Sequence, residues 1–398
     1  MAQAAPKPAR ASPLYDPRIR GLVSQAVLIA VVAFLVYEAT TNAIDNLRRA
    51  RIASGFGFLD NTAGFDVSQS LIPFSAAAST YADAFVVGLL NTLLVGVIGV
   101  VFATILGFIV GIARLSKNWI INKLAMVYVE VIRNLPLLLQ LLFWYNAVLA
   151  PLPSPRQSVN IADSFFLNNR GLFMPRPILT DLAWLIPLVF VIGIAASIAF
   201  RLWAKRQQEQ TGRQYPVGLT ALALILGLPA LVWLTLALIG NSPITFDVPE
   251  QQRFNLRGGM QILPEFVALL LGLVIYTAAF IAEIVRAGIL AVSKGQTEAA
   301  YSLGLRPGLT TRLVIIPQAL RVIIPPLTSQ YLNLIKNSSL AVAIGYPDLV
   351  QVFMGTVLNQ TGQAIEVVVI TMAVYLTISL VTSFFMNLYN RRVAIVER

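Results

Sequence analysis

Cysteine and histidine are both missing from the 398 residues, and only 12% of the chain is charged. Without cysteine there is no thiolate nucleophile and no disulfide. Without histidine there is no imidazole base, and the common zinc and haem ligand sets go with it. The shortage of charge excludes a water-soluble fold, because soluble domains carry about 25% charged residues whereas this chain is 57% hydrophobic. Also absent is the G-x-x-x-x-G-K-[ST] phosphate loop, so the chain does not bind and hydrolyse ATP by the P-loop route. The formal net charge is +11, yet Lys and Arg fall in short clusters between apolar runs, with no basic stripe interleaved with aromatics. That distribution speaks for a membrane protein and against nucleic acid as a partner.

What is present is apolar sequence in runs of spanning length. A helix needs about 20 apolar residues to cross about 30 Å of hydrocarbon. Residues 22–37, 85–113, 182–203, 217–239 and 266–292 are clear spans. Residues 124–149 and 365–388 are read as spans too, although polar residues interrupt them, which a lipid-facing helix does not keep without a reason. Residues 319–344 contain Pro325, Pro326, Lys336 and Asn337, the pattern of a broken or re-entrant helix.

Charge then orients the spans, since cytoplasmic loops accumulate Lys and Arg. With the N-terminus inside, Lys7, Arg10, Arg18 and Arg20 precede the first span, and Arg114, Lys117 and Lys123 follow the second. Arg201, Lys205, Arg206 and Arg213 follow the fourth, Lys294, Arg306, Arg312 and Arg321 the sixth, and Arg391, Arg392 and Arg398 the last. The opposite loops hold Asp45, Asp60, Asp66, Asp83, Asp163, Asp181, Asp247 and Glu250. The bias closes only if residues 319–344 cross, which gives eight spans with both termini cytoplasmic. The first run starts after a long basic leader and lacks an A-x-A-like site, so it reads as an uncleaved span. The loop 39–83 is then outside and is a candidate surface for a soluble partner.

Between the sixth and seventh spans lies EAAYSLGLRPGLTTRLVIIPQALRVIIPP, residues 298–326. Glu298 to Leu303 are mostly good helix formers, and Gly304 ends that helix as a left-handed residue does. A second short helix is expected from Pro307 and Gly308, limited by Pro317. A stubby helix, a tight glycine turn and a second helix on a basic cytoplasmic face offer a piece that another protein can grip. The alternative is an amphipathic loop lying in the interface.

This segment resembles the EAA loop of binding-protein-dependent ABC importers: EAA, three residues, G, nine residues, then I-x-L-P. Glu298, Ala299, Ala300 and Gly304 match in register, and Val314, Ile316 and Pro317 occupy the tail with changes at its first and third places. In that family the loop is a coupling helix that docks on the ATPase subunit, so the resemblance gives Glu298, Ala299, Ala300, Gly304 and Pro317 the coupling role. GLLNTLLVGVIGVVFATILGFIVGIARLS from Gly88, YVEVIRNLPLLLQLLFWY from Tyr128, YTAAFIAEIVRAGI from Tyr276 and YLNLIKNSSLAVAIG from Tyr331 are similar to the polar amino-acid permeases of the histidine/glutamine/glutamate type. The long form, with IRNLPLL where R-G-T-P-L-L is commoner, resembles general L-amino-acid or glutamate/glutamine/aspartate/asparagine permeases.

The resemblance implies an all-α, polytopic type I ABC importer transmembrane domain in a bacterial inner membrane. Its parts are residues 1–83 (tail, extra span, periplasmic loop), 84–149 (first part of the core), 150–263 (an insertion with two extra spans), 264–390 (second part of the core, with the loop at 293–318) and 391–398 (tail). It further implies two ATPase subunits, a second homologous permease as heterodimer partner, and an extracytoplasmic amino-acid-binding protein. Import of amino acids is expected, with no cofactor on this chain and ATP and Mg on the partner subunits. The chain itself is then a transport subunit and not an enzyme.

Ionisable and polar residues inside spans are expensive and mark candidate sites. Arg133 in the third span and Glu283 in the sixth fall at comparable depth and are expected to form an ion pair. Arg133 alternatively suits a substrate carboxylate. Lys336, Asn337, Ser338 and Ser339 sit deep in the interrupted seventh span, where broken helices supply polar groups to midplane sites, and with Gln140 they are the candidate pathway residues. Asn91 is a weaker candidate of the same kind, with interhelical hydrogen bonding as the alternative. Two rivals remain: a secondary transporter, which needs no docking helix, and a membrane-embedded enzyme, for which no clustered acids, His or Cys are present.

Overall fold

The computed structural model describes residues 17–49, 55–252 and 255–393. Lys7, Arg10 and Arg398, expected at the cytoplasmic ends, lie outside them. The chain order is α1 (Pro17–Arg49), α2 (Tyr81–Ala113), α3 (Trp119–Asn134) and α4 (Leu137–Leu142), which continues as a π-helical stretch, Phe143–Leu149. Strands β1 (Val159–Ile161), β2 (Phe165–Asn168), β3 (Gly171–Met174) and β4 (Arg176–Leu179) lead into α5 (Leu185–Thr211), α6 (Val217–Leu222) and α7 (Leu228–Leu238). Strands β5 (Ile244–Asp247), β6 (Glu250–Gln251), β7 (Leu256–Arg257) and β8 (Met260–Ile262) precede α8 (Pro264–Leu290). Then come α9 (Lys294–Ser302), α10 (Pro307–Thr310), α11 (Ile316–Asn337), α12 (Leu358–Thr361) and α13 (Ala364–Val393). Among the described residues seven helices are long and apolar enough to cross a membrane, or eight if the bent pair α3 and α4 makes one span.

The interrupted span expected at residues 124–149 falls on that bent pair, whose two halves meet at 106°. Pro136 is the cause: it has no N–H and pushes Leu135 to extended geometry, φ −97° and ψ 130°. The reverse happens at residues 319–344, where α11 runs through Pro325 and Pro326 without a break. Packing holds it there, for Ala319, Ile323, Leu327 and Leu334 are buried in one cluster with Leu269, Leu273, Ile281 and Val285 of α8. Nor does Pro317 end a helix: the π-helical stretch Thr311–Ile315 continues into α11 across it.

Two compact units are present. The larger comprises Thr92–Tyr346 and the residues from Thr382. Its core is α8, which packs against α3, α4 and α11. Helix α2 approaches α8 closely at Gly107 and Gly111, where a Cβ would lie 2.5 Å from Ile281 Cγ2 and 2.8 Å from the Ala282 carbonyl oxygen. Strands at both ends of the insertion, which sequence patterning did not suggest, form an antiparallel sheet in the order β1-β2-β3-β8 and a separate β4–β5 pair. Arg176 and Asp247, opposite each other in β4 and β5, form an ion pair at 3.6 Å. Helices α5 to α7 thus leave and return at one place.

The smaller unit joins the residues up to Asn91 with Pro347–Val381. Part of the expected outer loop 39–83 is helix, since α1 runs to Arg49. Its later residues are folded: Phe58 and Ala63 are buried with Tyr81, Ala84, Phe353 and Val357. Phe85 meets Phe353 edge-on at 5.3 Å. The α1 span, in contrast, has none of its apolar window buried.

Candidate functional site

Helix α9 carries Glu298, Ala299 and Ala300. It ends in a Schellman motif, with the N–H of Gly304 donating to the Tyr301 carbonyl at 2.9 Å and that of Leu305 to the Ala300 carbonyl at 3.1 Å. Gly304 has φ +75°, which a side chain resists, so glycine is required to turn the chain here. Arg306 is then extended and Pro307 opens α10. Ala300 is buried, whereas Glu298 and Ala299 face outward. Beyond them stand apolar side chains with no cover in this chain: Leu303 is 82% exposed and Leu313 59%. Leu303, at the end of α9, and Leu313, in the π-helical stretch Thr311–Ile315, are thus exposed apolar groups in the segment that joins α8 to α11.

The ion pair expected between Arg133 and Glu283 is not the one formed. Glu283 is held by Arg114, at the end of α2, and by Arg286 one turn along its own helix at 2.6 Å. Arg133 lies over the Phe280 ring, 5.1 Å from its centroid. Sequence reasoning missed Arg114 because it falls just past the apolar run. It nonetheless ties α2 to α8 with only 11% of its side chain exposed.

Gln140 is on α4, which packs against the 3-10 turn Ser338–Ile344 that follows Lys336 and Asn337. The candidate side chains here are largely occupied. Gln140 donates to the carbonyls of Ile132 and Leu135, each at 3.1 Å. The Ile132 carbonyl is the one that Pro136 deprives of its helical donor, so Gln140 repairs the bend. Ser338, fully buried, donates to the Ile335 carbonyl at 2.7 Å, and Ser339 to that of Lys336 at 2.7 Å. Lys336 is exposed and Asn337 half-buried. Asn91 of α2 donates to the carbonyls of Gln69 and Pro347, both at 2.9 Å, so it ties its helix to two loops.

Another group the sequence did not single out is Asp348, outside the spans and fully buried. One of its carboxyl oxygens accepts from the Gln351 N–H at 2.8 Å, capping the π-helical stretch Val350–Val357. Burial pushes that carboxyl up to about 7.

Residues 210–395 match the family described as the binding-protein-dependent transport system inner membrane component. Over 387 residues the chain is 54% identical to the general L-amino acid transport system permease protein AapQ of Rhizobium johnstonii, covering 97% of this chain and 95% of that protein. It is 53% identical over 387 residues to the putative amino-acid ABC transporter permease protein YhdX of Escherichia coli K12, covering 96% of each. The glutamate/glutamine/aspartate/asparagine transport system permease protein BztB of Rhodobacter capsulatus is 44% identical over 418 residues, covering 97% of this chain and 96% of that protein. Coverage this complete leaves no room for the insertion to be private to this chain. With spans, loop and insertion all in place, the chain belongs to the binding-protein-dependent transport system inner membrane components, in their amino-acid ABC permease branch.

Proposed function

We propose that this chain is the pore-forming subunit of an importer that carries L-amino acids across the inner membrane, driven by separate ATPase subunits that dock on α9 and the turn at Gly304. The observation that carries this reading is Leu303, 82% exposed at the glycine turn that closes α9, a helix outside every candidate span among the described residues. Lipid does not cover a side chain outside the spans, so a docked protein is the cover that fits it. Glu298 and Ala299 face the partner, Ala300 and Pro317 seat the loop on this chain, and Gly304 sets its turn. A second permease completes the pathway, and a binding protein delivers the substrate from outside. ATP and Mg belong to the ATPase subunits. Both termini are cytoplasmic, as the Lys and Arg bias requires.

Within the membrane, Lys336 and Asn337 are the groups of the candidate set left available for a zwitterionic substrate, and Arg133 is the candidate for its carboxylate. Gln140, Ser338 and Ser339 shape the path through the backbone they hold. The test is ATP hydrolysis and uptake by the reconstituted complex with Gly304→Asp and Glu298→Lys. Binding-protein-stimulated hydrolysis and uptake are expected to fall together while the variants still assemble. Uptake that survives both substitutions, or proceeds without ATP, rejects the coupling role and favours a secondary transporter.

A further inference from the structure

We propose that the turn joining α5 to α6 is a binding surface for the phosphate headgroups of anionic phospholipids, with Arg201, Arg206 and Arg213 on different sides of a clasp of Phe200, Trp203 and Tyr215. The depth follows from the sequence. Helix α5 begins at Leu185 and is apolar as far as Ala204, apart from Arg201 and the small Ser197, a length of about 30 Å at 1.5 Å per residue. Arg201 therefore sits one turn inside the hydrocarbon boundary, and Lys205 and Arg206 stand at it. From one turn inside, an arginine lays its stem on apolar surface and extends its guanidinium to headgroup level.

The turn is folded, not merely basic. Trp203 and Tyr215 lie 5.0 Å apart between ring centroids, Phe200 and Trp203 5.6 Å, and Phe200 and Tyr215 6.5 Å. Gly212, at φ +71°, ends α5. Tyr215 belongs to the connection, so its contact with α5 fixes the returning chain and Arg213 with it. Trp and Tyr settle at headgroup depth, and here they do so beside the cations.

Charge supplies the ligand chemistry. Residues 201–215 hold four cations and a single acid, Glu209, which sits 3.8 Å from Lys205. Arg201, Arg206 and Arg213 are exposed and have no carboxylate within ion-pair distance among the described residues. Guanidinium groups bind phosphate oxygens in bidentate fashion. A topological signal alone requires the charges, but neither the aromatic clasp nor the ordered turn.

The experiment is native mass spectrometry of the full chain released from nanodiscs of phosphatidylcholine and phosphatidylglycerol. The wild type is expected to retain phosphatidylglycerol. The triple variant Arg201→Gln, Arg206→Gln, Arg213→Gln is expected to bind it on the order of 100-fold more weakly, at roughly five-fold per cation. Arg213→Gln alone, on the exposed turn, gives roughly a five-fold loss and keeps the question open to test if the triple variant does not fold. Trp203→Leu with Tyr215→Leu weakens retention with the charges intact, and Lys117→Gln with Lys123→Gln, in a basic loop elsewhere, leaves it unchanged. Unchanged retention by the arginine variants, or an equal loss from the Lys117 and Lys123 variant, overturns the proposal. Displacement of the lipid by inorganic phosphate alone also overturns it, by making this a small-anion site.

Discussion

Helices α5 and α8 have the same length and the same mean hydropathy, yet 56% of the α8 window is buried against 6% of that of α5. Hydropathy inserts a helix but does not pack it, because lipid tails are as apolar as leucine and association rests on close fit and polar contacts. Helix α8 has both on several sides. A Cβ on Gly272 would lie 2.4 Å from Leu141 Cδ2, and one on Gly288 2.3 Å from Ile323 Cγ1. The Tyr128 hydroxyl donates to the Ile275 carbonyl at 2.7 Å, and Glu283 holds Arg114. Helix α5 has one such place, Gly193 against the Leu224 carbonyl of the helix that follows it, where a Cβ would lie at 2.3 Å. The core is a many-sided contact and the insertion a hairpin that mainly touches itself.

The sharpest way to break this contrast is through charge. Glu283→Leu strips two guanidiniums of their counter-ion and is expected to destabilise the detergent-solubilised chain by about 3 kcal/mol, the low end for a buried pair because the Glu283 side chain keeps 27% exposure. Thermal unfolding followed by tryptophan fluorescence reads it, and a loss below 1 kcal/mol would mean that α2 and α8 do not depend on this tie. Next comes packing. Gly111→Leu drives a side chain into Ala282 and Val285 and is expected to cost about 1–3 kcal/mol. Gly218→Leu, where a Cβ meets nothing within 4 Å, is expected to stay within about 0.5 kcal/mol of the wild type. Equal effects at both glycines would erase the distinction between the regions. Smaller still is the Lys205 and Glu209 pair on α5, whose side chains are 74% and 65% exposed. A double-mutant cycle there is expected to give about 0.3–0.5 kcal/mol.

Apolar run length placed the spans because it reports on insertion, which is a local property of sequence. The α9 loop was legible for a similar reason: Glu298 to Gly304 form a short-range pattern, and the glycine turn sits where the pattern puts it. What escaped depends on contacts distant in sequence. Arg133 and Glu283 fall at comparable depth, but Arg114 reaches the carboxylate first and Arg133 finds the Phe280 ring. Prolines misled in both directions, since Pro136 breaks its span at 106° while Pro325 and Pro326 are carried through by packing on α8. The strands at the two ends of the insertion are two to four residues long, too short for periodicity to register, and β3–β8 and β4–β5 pair across about 65 to 90 positions.

Removing the hairpin altogether carries the comparison to its limit. The N–H of Thr180 donates to the Pro243 carbonyl at 3.1 Å, and the Thr180 hydroxyl to that of Ser242 at 3.0 Å, so the chain leaves and re-enters β4 and β5 at adjacent residues. Replacing residues 181–242 by Asn-Gly is expected to close these strands as a hairpin without moving β3, β8 or α8. Two spans are lost, an even number, so the termini keep their side. The lost surface faced lipid more than protein, and lipid-facing apolar area contributes nothing to association within the bilayer. The shortened chain is therefore expected to insert and to unfold within about 1 kcal/mol of the wild type, the shorter connection itself being worth only a few tenths. With no native cysteine in the chain, a single cysteine at either end reports its side by labelling on a clean background. A terminus that switches sides, or a core that unfolds several kcal/mol more easily, would place α5 to α7 inside the folding unit that α8 organises.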